Sequence, residues 1–248
     1  MDRHRLLYSV IAKPMGPDCN LKCRYCFYLE KKRLFSPAIS CRMSNEVLER
    51  FVRQYIESQD FPEIHFAWQG GEPTLLGIEF FEKVVAFQEE YAAGKNVTNS
   101  IQTNGTLLSD KWCEFLSEKG FLVGVSIDGP ETQHNRYRVD RQGRPSFERV
   151  MRGVTFLKKH DTRFNTLTVV NDFNSRNPLE LYRFLKDVSE GFIQFIPLVE
   201  RRPDDAAKKL GMDLSLPPHG AEVDNRQSVM PWSVKPKRLG EFYIQIFD

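Results

Sequence analysis

Short apolar runs rich in β-branched and aromatic residues alternate along this chain with longer amphipathic stretches of helical period. The short runs predict β-strands over Leu7–Lys13, Glu63–Gln69, Asn99–Thr103, Leu122–Ile127, Asn165–Val170 and Phe192–Leu198. The longer stretches predict helices over Asn45–Ser58, Ile78–Tyr91, Asp110–Lys119, Phe147–Lys159 and Leu179–Glu190. This alternation is typical of a parallel sheet covered by helices. We therefore expect an α/β fold, either an open doubly wound sheet or a partial TIM-like (β/α) barrel.

Glycines and small polar residues follow every predicted strand. They form the segments Asn20–Cys23, Gly70–Pro73, Asn104–Gly105, Asp128–Pro130, Asn171 and the stretch that starts at Val199. Parallel strands deliver their carboxyl ends to a common rim, where ligands bind in folds of this class. The sequence therefore predicts an active site at that rim.

The first of these segments carries Cys19, Cys23 and Cys26, and no fourth cysteine follows at a similar spacing. A closed tetrahedral thiolate site normally has four ligands, so three thiolates on a four-iron cluster leave one iron open to a small molecule. A structural zinc site is the alternative, and Cys41 is a possible fourth ligand. Cys113 lies in an amphipathic stretch and is expected to be a small buried apolar residue.

Other rim residues have both a functional and a structural interpretation. The pair Gly70–Gly71 allows close backbone approach to a ligand, but such pairs also form ordinary turns. Arg136 and Arg138 have the chemistry to clamp a carboxylate, or to be solvated surface residues. Tyr25 is expected to shield the cysteine segment, to pack in the core, or both. The histidines form no metal-binding pattern and are expected to be structural or solvated.

Composition excludes several function classes. The net charge of +2 does not favour nucleic acid as a partner. The chain has neither an apolar run long enough to span a bilayer nor the apolar core of a signal peptide, so no membrane association is expected. We expect a cytoplasmic location, where clustered cysteines are metal ligands rather than disulfides.

The longer strings resemble a known family. They include the cysteine segment from Cys19 to Lys31, Trp68–Leu75, Gln102–Thr106 and Ser126–Pro130. These strings are similar to those of radical S-adenosylmethionine (SAM) enzymes, in particular the formylglycine-generating anaerobic sulfatase-maturating enzymes of the SPASM type. The resemblance runs from about Leu7 to Asp248 and implies a partial (β/α)6 TIM-like radical SAM barrel.

The resemblance also implies cofactors and residue roles. Cys19, Cys23 and Cys26 would hold a [4Fe–4S] cluster, and SAM would bind its open iron. The SAM contacts would be made by Tyr25, Gly71, Ser126, Arg138 and Val199, and Gln69 would contact the substrate. The substrate would be a Cys or Ser of a sulfatase polypeptide, oxidised to Cα-formylglycine, and the electron would come from a flavodoxin- or ferredoxin-like donor.

The carboxyl-terminal part departs from the family. A helical pattern that starts near Pro236 is still running at Asp248, so the chain is expected to be a fragment. Residues 1–200 would form the radical SAM core barrel, and residues 201–248 a linker and the start of a truncated region. The auxiliary-cluster domain and the family's catalytic Asp would then lie beyond the carboxyl terminus. Alternatives are a catalytically silent cofactor-binding remnant, or a radical SAM peptide-modifying enzyme with another target.

Overall fold

The computed structural model describes residues 8–36, 40–189, 191–213 and 229–247. Six strands alternate with helices in this part of the chain. The strands are β1 (Val10–Ala12), β2 (Glu63–Trp68), β3 (Asn96–Thr103), β4 (Leu122–Ser126), β5 (Phe164–Val170) and β6 (Ile193–Pro197). The helices are α1 (Phe27–Lys31), α2 (Asn45–Ser58), α3 (Ile78–Tyr91), α4 (Asp110–Glu118), α5 (Glu131–Asn135), α6 (Phe147–Lys159), α7 (Pro178–Val188), α8 (Asp205–Lys209) and α9 (Pro236–Phe247).

The six strands form one sheet in chain order, β1 to β6. Neighbouring strands run parallel, with Val10 opposite Phe66 and Ser100 opposite Leu122, for example. Parallel pairing between consecutive strands needs a crossover connection, which the intervening helices supply. The predicted α/β class and the sequential (β/α)6 order are confirmed. Among the described residues, no helix has the length and apolarity needed to cross a membrane.

Most element bounds agree with the sequence prediction to within two residues, but β1 is shorter than predicted and β3 begins three residues earlier, at Asn96. Helices α2, α3 and α6 have the predicted bounds, and the hydroxyl of Ser44 caps α2 by accepting from the amide of Val47 at 3.3 Å. Leu7 and Glu190, at the ends of two predicted elements, lie outside the described residues. The five-residue helices α1, α5 and α8 were not predicted, because one turn is too short to show a helical period.

The described residues fall into two compact units. The first holds residues 8–20, 40–125 and 149–165, and the second holds residues 21–36, 126–148, 166–189, 191–213 and 229–247. In the first unit, the rings of Phe66 and Trp68 stack at 5.8 Å, and Trp68 meets Phe81 of α3 edge to face at 6.0 Å. In the second unit, Phe195 of β6 packs against Phe242 of α9 at 5.3 Å. These aromatic contacts anchor the helices on the strands.

Candidate functional site

The segment that follows β1 carries Cys19, Cys23 and Cys26, which are all half-buried and form no disulfide. Cys19 belongs to the first unit, and Cys23 and Cys26 belong to the second. Within the described ranges, no three Cys, His, Asp or Glu side chains converge on a single metal ion. In a four-iron cluster each thiolate binds a different iron, so its cysteine ligands need not meet at one point. The donor set of three soft thiols fits such a cluster.

Amide side chains surround Cys19 in the first unit. The Nδ2 of Asn104 donates to the Sγ of Cys19 at 3.6 Å and to the Oδ1 of Asn20 at 2.9 Å. Asn20 in turn donates to the hydroxyl of Thr106 at 2.8 Å. Donors to a cluster sulfur tune its reduction potential. Both asparagines lie in segments that the sequence places at the predicted rim. Their contact with each other was not predicted, because they are 84 positions apart in the chain.

The double glycine after β2 lies against the cysteine segment. A Cβ on Gly71 would stand 2.0 Å from the carbonyl oxygen of Asp18, and one on Gly70, whose φ is +87°, would stand 2.7 Å from the Cβ of Lys13. The amide of Glu72 donates to the same Asp18 oxygen at 2.8 Å. Glycine is therefore required here for packing of backbone on backbone. Contact of Gly71 with SAM stays a prediction.

Glu72 is completely buried at the end of β2. Its Oε1 accepts from the amide and hydroxyl of Thr74 and from the hydroxyl of Thr103, at 3.1, 2.6 and 2.7 Å. Its Oε2 accepts from the amide of Asn104 at 2.7 Å. Burial raises the pKa of Glu72, and the hydrogen bonds from Asn104, Thr74 and Thr103 oppose that rise. This carboxylate ties the glycine turn to the end of β3, a role that its sequence position does not reveal.

Gln69 directly follows β2, and its amide donates to the carbonyl of Ala12 at 2.9 Å. Its side chain is half-buried and makes no hydrogen bond to the described residues. The side-chain amide group is thus available for a ligand. The predicted contact of Gln69 with the substrate stays a prediction.

The two remaining cysteines differ in their surroundings. Cys113 on α4 is fully buried, as predicted for a structural residue, and burial raises the pKa of its thiol to about 12. Cys41 lies against the turn at Gly16, where a glycine Cβ would stand 2.7 Å from the Cβ of Cys41. Cys41 therefore supports the turn that precedes Cys19.

A buried ion pair organises the second unit. The Nε and Nη2 of Arg138 lie 3.0 and 3.1 Å from the two carboxylate oxygens of Asp128. The hydroxyl of Tyr25 also donates to Asp128, as does the amide of Val169 at 3.0 Å. Burial alone would lower the pKa of Arg138, but the charge of Asp128 raises it, so the guanidinium stays charged. The carboxylate that Arg138 clamps here belongs to the chain itself, and its predicted contact with SAM stays a prediction.

His134 fixes the loop that presents Arg138. The amide of Asp128 donates to its Nδ1 at 3.3 Å, so Nε2 carries the proton and donates to the hydroxyl of Ser146 at 3.0 Å. The hydroxyl of Ser146 in turn donates to the carbonyl of Arg138 at 2.8 Å. Burial lowers the pKa of His134 to about 3, which keeps the ring neutral. The prediction of a structural role is confirmed for this histidine.

Cys23 and Cys26 are held by backbone contacts in the second unit. The amides of Lys22 and Arg24 donate to the carbonyls of Val139 and Tyr137 at 2.7 and 2.9 Å, so the residues on both sides of Cys23 pair with a second segment. Cys26 precedes the first residue of α1. Burial raises the pKa of its thiol, and the amides of Tyr28 and Leu29 oppose that effect. A thiolate at this helix start is therefore offered hydrogen-bond donors.

The other predicted cofactor contacts lie at strand ends. Ser126 is the half-buried last residue of β4. Val199 is 61% exposed and follows Leu198, which packs with Tyr25 and Tyr137 in a cluster that Cys23 also touches. Tyr25 is thus a core residue that contacts the cysteine segment, as one of its two interpretations predicted. Contacts of Ser126 and Val199 with SAM stay predictions.

Comparison with known proteins gives three findings. Residues 14–185 match the radical SAM superfamily. The chain is 44% identical over 239 residues to a serine-type anaerobic sulfatase-maturating enzyme of Bacteroides thetaiotaomicron, covering 96% of this chain and 56% of that protein. It is 41% identical over 244 residues to a cysteine-type anaerobic sulfatase-maturating enzyme of Clostridium perfringens, covering 97% of this chain and 59% of that protein.

A solved structure shows the same fold. The structure described as native anSMEcpe with bound AdoMet and Cp18Cys peptide superposes with a TM-score of 0.79 at 35% sequence identity. The match covers 97% of this chain and 58% of the other. The chain therefore spans a little over half the length of these relatives.

Proposed function

Because the chain belongs to the radical SAM superfamily, whose cofactors are a [4Fe–4S] cluster and SAM, we propose that Cys19, Cys23 and Cys26 hold the cluster and leave one iron for SAM. The observation that carries this proposal is the set of three half-buried cysteines on one segment, none of them in a disulfide, together with the packing of that segment's backbone against Gly71. A substituted residue at position 71 would displace the turn that leads into Cys19.

When bound, these cofactors would supply a 5′-deoxyadenosyl radical able to abstract hydrogen from a substrate. Three residues of the chain hold or surround the cysteines that would bind the cluster. Asn104 donates to the Cys19 sulfur, and Glu72 holds the amide of Asn104 in place. Tyr25 packs beside Cys23 in an apolar cluster that limits water at that sulfur.

For SAM we propose contacts from Tyr25, Gly71, Ser126, Arg138 and Val199. The hydroxyl of Tyr25 and the guanidinium of Arg138 both lie on Asp128. These two side chains are consequently fixed before a ligand arrives, which lowers the entropic cost of binding. For the substrate we propose a contact with the side-chain amide of Gln69, which makes no hydrogen bond to the described residues.

The proposed activity is that of a radical SAM oxidoreductase acting on a polypeptide. The names of the similar enzymes support a Cys or Ser of a sulfatase as the target. The family resemblance implies Cα-formylglycine as the product. We further propose a flavodoxin- or ferredoxin-like electron donor, a cytoplasmic location, and a core barrel over residues 1–200 followed by a linker. Another peptide-modifying reaction is distinguished from this one by the product that forms.

Anaerobic reconstitution of the full chain with iron and sulfide tests the proposal. We expect Cys23→Ala to lose bound iron and the reductive cleavage of SAM to 5′-deoxyadenosine, while Cys113→Ala retains both. Chromatography of the nucleoside and iron analysis measure these results. Loss of iron in Cys41→Ala equal to that in Cys23→Ala would overturn the assignment of ligands. A sulfatase-derived peptide with Cys or Ser then tests the product, through reaction of its new aldehyde with a hydrazide.

A further inference from the structure

A small basic recess lies in the second unit, where the segment after β5 meets the start of α9. Its volume is about 340 Å³, and it is lined by Asp172, Arg176, Pro231, Ser233, Lys235 and Arg238. Three lining side chains are cationic and one is anionic. The volume is sufficient for one side chain and is at the small end of the range for ligand pockets.

Two of the three cations of the recess, Lys235 and Arg238, are not neutralised within the described chain. Lys235 and Arg238 are exposed and form no ion pair with described residues. Arg176 has one carboxylate nearby, that of Asp172, at 3.6 Å. Asp172 in turn already accepts from the hydroxyl of Tyr137. Asp172, the single acidic residue of the lining, therefore already contacts Arg176 and Tyr137. With three cationic side chains and one anionic side chain, the recess has an excess of positive charge.

The wall of the recess is rigid. The amide of Asp172 donates to the carbonyl of Trp232 at 3.0 Å, and Trp232 packs inward on the apolar cluster formed by Tyr25, Tyr137 and Leu198. Ser233 both accepts from the amide of Glu200 at 2.9 Å and donates to its carbonyl at 3.1 Å. A preformed wall loses little entropy when a ligand enters.

The start of α9 concentrates positive charge in an unfavourable place. Its first turn holds Lys237 and Arg238 and contains no acidic residue. The amides at a helix start already carry partial positive charge, so cations there repel the helix dipole and anions are stabilised. An arrangement that opposes stability in this way is expected where a function requires it.

We propose that the recess binds a carboxylate carried by the polypeptide substrate, on a residue other than the one that reacts. Lys235 and Arg238 supply the unneutralised charge, and Arg176 supplies a donor held against Asp172. The proposal rests on the proposed function, since it assumes a polypeptide substrate. A glutamate or aspartate side chain has the size and charge that the recess accommodates.

Calorimetric titration of the cluster-containing full chain, without SAM, tests the proposal. The probes are N-acetylglutamate α-amide, its glutamine counterpart and inorganic phosphate. We expect the glutamate probe to bind more tightly than the glutamine probe. Each of the substitutions Lys235→Ala and Arg238→Ala should weaken the glutamate probe about fivefold, as for a partly exposed charge pair. Lys237→Ala is the matched control, because Lys237 is equally exposed on the same turn but does not line the recess.

The outcomes separate the possible sources of the anion. Equal binding of the glutamate and glutamine probes, or an equal effect of Lys237→Ala, would overturn the proposal. Binding of phosphate alone would show a site for a free anion and would also overturn it. A chain that cleaves no SAM but shows the expected binding pattern would contradict the proposed function and leave the carboxylate site standing.

Discussion

Asp128→Asn should destabilise the fold strongly while leaving its shape unchanged. The Asp128 side chain is 0% exposed and that of Arg138 is 7% exposed, so solvent barely screens their interaction. Asparagine retains one oxygen for the amide of Val169 but removes the counter-charge of the guanidinium. Breaking a buried pair by neutralising one partner costs about 3–5 kcal/mol. We therefore expect the free energy of unfolding to fall by about that amount.

Equilibrium unfolding in urea, followed by circular dichroism, measures this loss. The control is Asp110→Asn at the exposed pair with Lys159, for which we expect little change. Asp128→Leu combined with Arg138→Met should be less destabilising than Asp128→Asn, because no unpaired charge remains buried. A loss for Asp128→Asn no greater than that for Asp110→Asn would refute the electrostatic reasoning.

Three further predictions concern single residues. His134 has a pKa of about 3 when folded and about 6.5 when unfolded, so the stability gained from its neutral ring is complete above about pH 6.5. The free energy of unfolding, measured by urea titration, should fall by about 2 kcal/mol between roughly pH 6.5 and 5. This loss should be absent in His134→Asn and retained in His160→Asn. Gly71→Ala should destabilise by about 1–3 kcal/mol and reduce iron incorporation, since its Cβ meets backbone at 2.0 Å, whereas Gly240→Ala, with open space around it, should do neither. Asn104→Ala should lower the cluster's reduction potential in a spectroelectrochemical titration, because a donor to the Cys19 sulfur is lost; an unchanged potential would contradict that role.

Much of the fold was predictable because its elements carry local signals. The hydroxyls of Ser44 and Ser109 cap their helices, because each accepts a hydrogen bond from the backbone amide three residues later in the chain. A serine before a helical pattern is a signal that the sequence alone provides. The alternation of strands and helices predicts the α/β class and a parallel sheet, and the family resemblance implies the sequential strand order of a partial barrel. The short helix α5 was not predictable, because its residues depend on contacts such as that of His134 with Ser146, twelve positions away.

The candidate site divides in the same way. Cysteine spacing is a local property, so the sequence alone is enough to propose Cys19, Cys23 and Cys26 as metal ligands. The partners of Glu72 and Asp128 could not be predicted. Glu72 receives donors from Thr103 and Asn104 on another strand, and a pattern along the chain does not specify which strand ends meet. In the sequence, the contact between Glu72 and the end of β3 is marked only by a glutamate that directly follows two glycines.

The most direct test of the proposed cofactor site is electron paramagnetic resonance of the reduced, reconstituted chain before and after addition of SAM. If three thiolates hold the cluster and one iron is open, SAM should change the g values of the cluster signal. An iron–sulfur signal that SAM leaves unaltered, at a concentration that saturates related enzymes, would contradict an open iron in this protein.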